Sequence, residues 1–210
     1  MENIYIVSSF TNTLPGQMIK LRGAMKFWNR YPGDEYSHIS LSRDNILNNM
    51  MSFARKEVNN PFNSGLVKEN IREGTFKLNA DKSKIAVMEI KVTEEQYNNI
   101  CKNMTKYWLM RDELKFNFAG LATMLLYGKG VAPKNNFFCS QWVATVLKEC
   151  GIDFFDDEMP HNIRPFDFYS ALREQIIYEG SILKYPKYND VEEKEIETEN
   201  VLTLSNRQVV

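Results

Sequence analysis

The chain has 210 residues, 43% of them hydrophobic and 25% charged, enough to bury a core of one domain. A formal charge of -1 and a pI near 6.2 give no global electrostatic reason to bind nucleic acid, and no nucleic-acid partner is expected. The three cysteines, at 101, 139 and 150, are odd in number and widely spaced, which argues against a disulfide framework and fits a reducing compartment. The N-terminal Met1 to Phe10 lacks a basic flank and a long apolar run. No signal peptide or membrane span is therefore expected, and the protein reads as cytoplasmic.

In chain order, Ile4 to Phe10 predicts a strand, and the Thr11 to Gln17 turn leads into a helix over about Gln17 to Trp28. Tyr36 to Ser42 alternates, placing Ile39 and Leu41 on one face and Tyr36, His38, Ser40 and Ser42 on the other. Met50 to Arg55 reads as the adjacent strand and Asn59 to Gly65 as a long turn. Lys84 to Val92 alternates as a strand, and Thr93-Glu94-Glu95-Gln96 is a capping box opening a helix that carries Tyr97, Ile100, Cys101, Met104 and Trp108. Cys101 is expected in the core. A helix over Phe118 to Leu126 ends at Gly128-Lys129-Gly130, which lacks Walker spacing and reads as a turn.

Asn135 to Gly151 is the stretch with chemical content. Trp142, Val143, Val146, Leu147 and Cys150 recur at helical spacing, and Gly151 stands where the helix should end. Cys139 then lies in the first turn, where unpaired N–H groups and the positive end of the macrodipole favour a thiolate. A buried structural cysteine is the competing reading. Cys139 and Cys150 are about three turns apart, roughly 16 Å, too far for a disulfide. Beyond Gly151, His161 to Tyr169 leads into a short helix through about Arg173, and Tyr178 to Tyr185 reads as a last strand. The acidic tail from 188 to 210 reads as a solvated extension of a domain spanning 1–187.

A thiol nucleophile needs an imidazole, a group that fixes the ring and donors for the oxyanion. Of the two histidines, His38 sits on a regular strand that can aim it at a helix terminus, whereas His161 lies in a loop. Metal-ligand spacing is absent, and no metal or cofactor is expected.

The Tyr-Ser-His-Ile-Ser-Leu strand, Met-Met-Ser-Phe-Ala-Arg-Lys, Asn-Pro-Phe, Gly-Leu-Val-Lys-Glu, Phe-Asn-Phe-Ala-Gly-Leu and Phe-Phe-Cys-Ser-Gln-Trp-Val-Ala follow one another in that order. Together they resemble the circularly permuted branch of the NlpC/P60 cysteine hydrolases, the YiiX/YebB-like group, over roughly Ile4 to Tyr169. The resemblance implies an α+β, permuted papain-like fold with a central antiparallel sheet packed on the cysteine helix. It also implies Cys139 as nucleophile and His38 as base. Members of the group tend to carry a glutamate on the strand after the histidine strand, and the matching place here is Ser52. A hydroxyl can hold the ring but cannot stabilise imidazolium as a carboxylate does.

Tyr36, Ser40 and Ser140 flank these groups as expected substrate contacts. Phe-Cys-Ser-Gln-Trp-Val also resembles the nucleophile motif of lecithin:retinol acyltransferase-like proteins, so the implied substrate is a peptide, an amino-acid amide or an acyl ester. The expected activity is amide or ester hydrolysis through a Cys139 thiolate, with the Cys139 sulfur and a His38 ring nitrogen within about 4 Å. The alternative is a non-catalytic binding module on the same fold, and Ser52 is the feature that favours it.

Overall fold

The computed structural model describes residues 1–10, 36–57 and 60–188. The helix expected over 17–28 and all of the charged extension beyond Tyr188 lie outside the described residues. Within them the fold is α+β, built on a six-stranded antiparallel sheet. Its strands are β1 (Glu2–Phe10), β2 (His38–Ser42), β3 (Met50–Glu57), β4 (Asn60–Glu69), β5 (Lys84–Val92) and β8 (Ile176–Ser181), in the order β4-β3-β2-β1-β5-β8. Two short parallel strands, β6 (Lys115–Phe116) and β7 (Asn136–Phe137), form a separate ladder beside it.

The central strand β1 is covered on both faces, which is why it reads as a nearly continuous apolar run. Ile4 and Ile6 face a cluster shared with Ile39, Leu41, Phe53, Met88 and Trp142. Tyr5 and Val7 face the other side, with Met50, Ile85, Val87, Phe76 and Ile182. Against the first face pack helices α2 (Glu94–Leu109) and α4 (Cys139–Glu149), together with α5 (Pro165–Ala171). The second face is closed by the one-turn α1 (Gly74–Leu78) and the segment around Ile182 and Tyr185. Helix α3 (Phe118–Tyr127) stands outside both layers.

Local signals act as chemistry dictates. Thr93 accepts from the Gln96 N–H at 3.1 Å while the Gln96 side chain accepts from the Thr93 N–H at 3.0 Å, a reciprocal capping box that starts α2. Gly128 and Gly151 end α3 and α4 with φ of 75° and 73°, a conformation glycine adopts without steric cost. The alternation of β2 and β3 falls as expected, with Ile39, Leu41, Met51 and Phe53 on the helix side and Met50 on the other.

Three expectations change. Asn60 to Glu69 is a ten-residue edge strand hairpinned to β3 rather than a long turn. Its Asn60, Pro61, Asn63 and Gly65 are turn formers, but an edge strand tolerates proline and the pairing partner supplies what propensity does not. The last strand begins at Ile176, two residues earlier than expected, and gives way to a 3-10 turn over Ile182–Lys184. Cys101 is half-buried rather than in the core. No helix among the described residues is long and apolar enough to cross a membrane.

Candidate active site

Cys139 is the first residue of α4 and is buried, with 7% of its surface exposed. The first intrahelical bond runs from the Trp142 N–H to the Phe138 carbonyl at 3.0 Å. The N–H groups of Cys139 and Ser140 therefore precede the helical ladder and point out of the helix start. The approach to this turn is braced by amides. Gln141 Oε1 accepts from Asn117 Nδ2 at 3.0 Å and from the Phe138 N–H at 3.4 Å, and Gln141 Nε2 donates to the Asn136 carbonyl at 3.3 Å.

Asn117 is itself the N-cap of α3, accepting from the Gly120 N–H at 2.8 Å and donating to the Val131 carbonyl at 2.7 Å. A Cβ on Gly120 would fall 2.2 Å from Asn117 Nδ2 and 2.4 Å from the Val131 oxygen, so only glycine fits there. These contacts hold the loop before Cys139 in one arrangement.

His38 opens β2, with its backbone fixed by the Ser9↔His38 pairing. The Cys139 side chain lies close enough to help raise the His38 pKa, so residues about a hundred apart in sequence meet at the helix terminus. Its Nε2 lies 3.0 Å from both carboxylate oxygens of Glu69. With Nε2 turned to the carboxylate, Nδ1 is the nitrogen left for the thiol. Ser40, two residues along the same strand face, donates to Glu69 Oε2 at 2.6 Å. The exposed fractions of the His38 and Glu69 side chains are only 18% and 13%, so the pair is little screened by water.

Burial alone would drive His38 toward the neutral ring. The Glu69 charge, with Cys139 close by, overrides it, and His38 is pushed up to about 10. Burial likewise opposes the Glu69 charge. The facing imidazolium, with the bonds from His38 and Ser40, nevertheless holds that carboxyl below its ordinary value.

The third group is thus Glu69, not Ser52. Ser52 is fully buried and its hydroxyl donates to the Ile39 carbonyl at 2.5 Å, so it fastens the histidine strand instead of touching the ring. The reason is register. β2 meets β3 at Leu41↔Met51, and the Ser52 hydroxyl takes a β2 carbonyl where the ladder is short, while Glu69 reaches the ring from β4. Ser52→Ala should therefore cost about 1 kcal/mol of stability in a urea titration. The His38 titration should stay in place; a shifted His38 pKa in that variant would show that Ser52 touches the ring after all.

The other expected contacts are also bound internally. The Tyr36 hydroxyl donates to Glu179 at 2.9 Å, stacked near Tyr169 with ring centroids 5.2 Å apart. Ser140 donates to the Ile163 carbonyl at 2.7 Å, and Ser40 serves Glu69. These three position neighbours rather than offer free groups to a ligand. His161 lies in the 3-10 turn Pro160–Asn162, beside Glu158.

Sequence reasoning missed Glu69: Leu66-Val67-Lys68-Glu69 does not alternate, and only its Leu-Val pair favours a strand. It also missed Ser9, directly across from His38 on β1. Ser9 is fully buried, and its hydroxyl has no hydrogen-bond partner among the described residues. On its outer side Glu69 borders an open groove of about 450 Å³, lined also by Arg55, Lys68, Trp108 and Arg111. Lys68 and Arg111 both lie 4.9 Å from the Trp108 ring. Comparison with known proteins gives no further guide: no family model, no curated protein and no solved structure matches the chain.

Proposed function

We propose that the chain is a cysteine hydrolase of the permuted NlpC/P60 type, acting on an amide or ester. The observation that carries this reading is the convergence of Cys139, His38 and Glu69, a thiol at a helix start beside an imidazole that a mostly buried carboxylate holds. The order of these groups, histidine strand first and nucleophile helix last, fits a permuted papain-like arrangement in which an antiparallel sheet carries the base.

The Cys139 thiolate attacks the substrate carbonyl carbon, forming a C–S bond while the carbonyl π electrons move to oxygen. The oxyanion is received by the outward N–H groups of Cys139 and Ser140. Collapse of the tetrahedral intermediate breaks the C–N or C–O bond, and the His38 imidazolium gives its proton to the leaving group. Neutral His38 then takes a proton from water, whose oxygen attacks the acyl carbon and expels the thiolate. Glu69 stabilises the charged ring in each half-reaction and fixes which nitrogen faces the sulfur. The alternative of a non-catalytic module leaned on a hydroxyl in the third position, and the carboxylate of Glu69 takes away that ground.

A thiol-reactive fluorophore tests the proposal without a known substrate. At neutral pH Cys139 should label faster than Cys101 and Cys150 by at least about tenfold, despite its burial. Burial pushes the Cys150 thiol up, outweighing the opposing effect of the bond that Asn103 donates to its sulfur at 3.3 Å, so Cys150 should be slow. Equal labelling of the three thiols would sink the enzyme reading.

A further inference from the structure

Helix α3 is out of place for a water-exposed element. Its sequence, Phe-Ala-Gly-Leu-Ala-Thr-Met-Leu-Leu-Tyr, contains no charged residue. A helix apolar on all sides belongs in a core or in lipid. Here Gly120 and Met124 face the protein, while Phe118, Leu126 and Tyr127 are 47%, 62% and 80% exposed. The patch extends past the helix. Phe116 stacks on Phe118 with ring centroids 4.6 Å apart, and Phe62, at the tip of the β3–β4 hairpin and 84% exposed, lies 6.4 Å from Phe118. Contiguous exposed aromatic and aliphatic surface of this kind marks an interaction site.

The charge around the patch indicates the partner. Residues 115–134 include Lys115, Lys129 and Lys134 and no acidic residue. All three lysines are exposed, and they flank the apolar helix at both ends. The nearby acids are Asp112 and Glu113, ahead of Lys115, Glu158, beside Lys129, and Glu57, at the turn end of the hairpin where it accepts from Asn63. Ten residues make a helix of about 15 Å, half the thickness of a bilayer core, so α3 can lie in a membrane surface but cannot cross one.

We infer that α3 with Phe62 docks on an anionic lipid surface, its apolar side entering the headgroup boundary and its lysines meeting lipid phosphates. Phe118, Ala122 and Leu126 share the outer side of α3, with Tyr127 exposed at its C-terminal end, and lysine stems reach back to phosphate from just below that boundary. This surface is separate from the Cys139 site, and vesicle binding is read without any activity.

The test is co-sedimentation of the full chain with vesicles of phosphatidylcholine alone and of phosphatidylcholine containing phosphatidylglycerol. The chain should sediment with the anionic vesicles and much less with the neutral ones. Leu126→Ser combined with Tyr127→Ser should weaken binding by about tenfold or more. Lys129→Gln combined with Lys134→Gln should weaken it by about fivefold for each lysine. Both variants should keep the wild-type circular dichroism and Cys139 labelling rate. Failure of the wild type to bind anionic vesicles, or binding that neither pair of substitutions weakens, overturns the inference. A dimer in light scattering that the serine pair dissociates, without vesicle binding, assigns the patch to a second copy and overturns it equally.

Discussion

His38→Ala is expected to slow acylation of Cys139 by an activated ester such as p-nitrophenyl acetate by about 10²–10⁴-fold near neutral pH, the range usual for loss of a positioned acid–base group. On the proposed mechanism the variant loses three things at once: the ring that accepts the thiol proton, the cation near the sulfur, and the donor to the leaving group. Glu69 is left buried without its partner, so stability should fall as well, and circular dichroism has to accompany the rate measurement. A second variant, His38→Gln, keeps a hydrogen-bonding side chain but cannot carry the proton, and should be equally slow. If either variant releases p-nitrophenol with the wild-type burst, the imidazole has no part in the reaction.

Glu69→Gln should change the pH behaviour more than the fold. With the carboxylate gone, nothing offsets the burial of the ring except Cys139, and His38 should fall from about 10 to near or below its ordinary 6.5. At pH 8 a group with pKa 6.5 is only about 3% protonated, so the imidazolium population should drop roughly 30-fold, against only about fourfold at pH 7. Because the chain has only 2 histidines, His38 and His161, imidazole NMR signals need just one assignment to follow this titration.

Stability should follow the same linkage. His38 is raised on folding, so its contribution is complete below about pH 6.5 and is lost as pH climbs toward 10. Glu69 is lowered on folding, so its contribution is present above about pH 4.5 and is lost on acidification below that. The wild-type advantage over Glu69→Gln, about 1.5–3 kcal/mol in urea titrations, should therefore be greatest between about pH 5 and 6.5 and fade toward pH 10. An advantage that grows above pH 8 would contradict the ion pair.

The parts of the site that local chemistry determines were legible in the sequence. Cys139 at a helix start follows from the stripe Trp142, Val143, Val146, Leu147 and from Gly151, and His38 on the polar side of β2 follows from the alternation of Ile39 and Leu41. The meeting of those two groups was expected from the resemblance, since nothing in the spacing of 38 and 139 demands it.

Glu69 was hidden for a different reason. It lies 31 residues from His38 and reaches the ring from β4, with β3 between the two strands, so finding it required knowing that Asn60 to Glu69 pairs with β3. Asn60, Pro61, Asn63 and Gly65 all argue locally for a turn, and only tertiary pairing reverses them. Ser52 was expected as the third group because the resemblance puts a polar residue at its place on the strand after the histidine strand. Matching place is a weaker constraint than the hydrogen bond Ser52 actually makes to Ile39.

Asn117 ties the surface of the molecule to its interior. Its amide holds the Gly120 N–H, the Val131 carbonyl and Gln141 Oε1 at once, so the start of the apolar helix and the first turn of the Cys139 helix hang from the same side chain. Shifting α3 away from this loop means breaking one of the buried polar bonds of Asn117. The two helices are therefore mechanically in series: load applied to the outer one is carried to the N–H groups around Cys139 with little slack between.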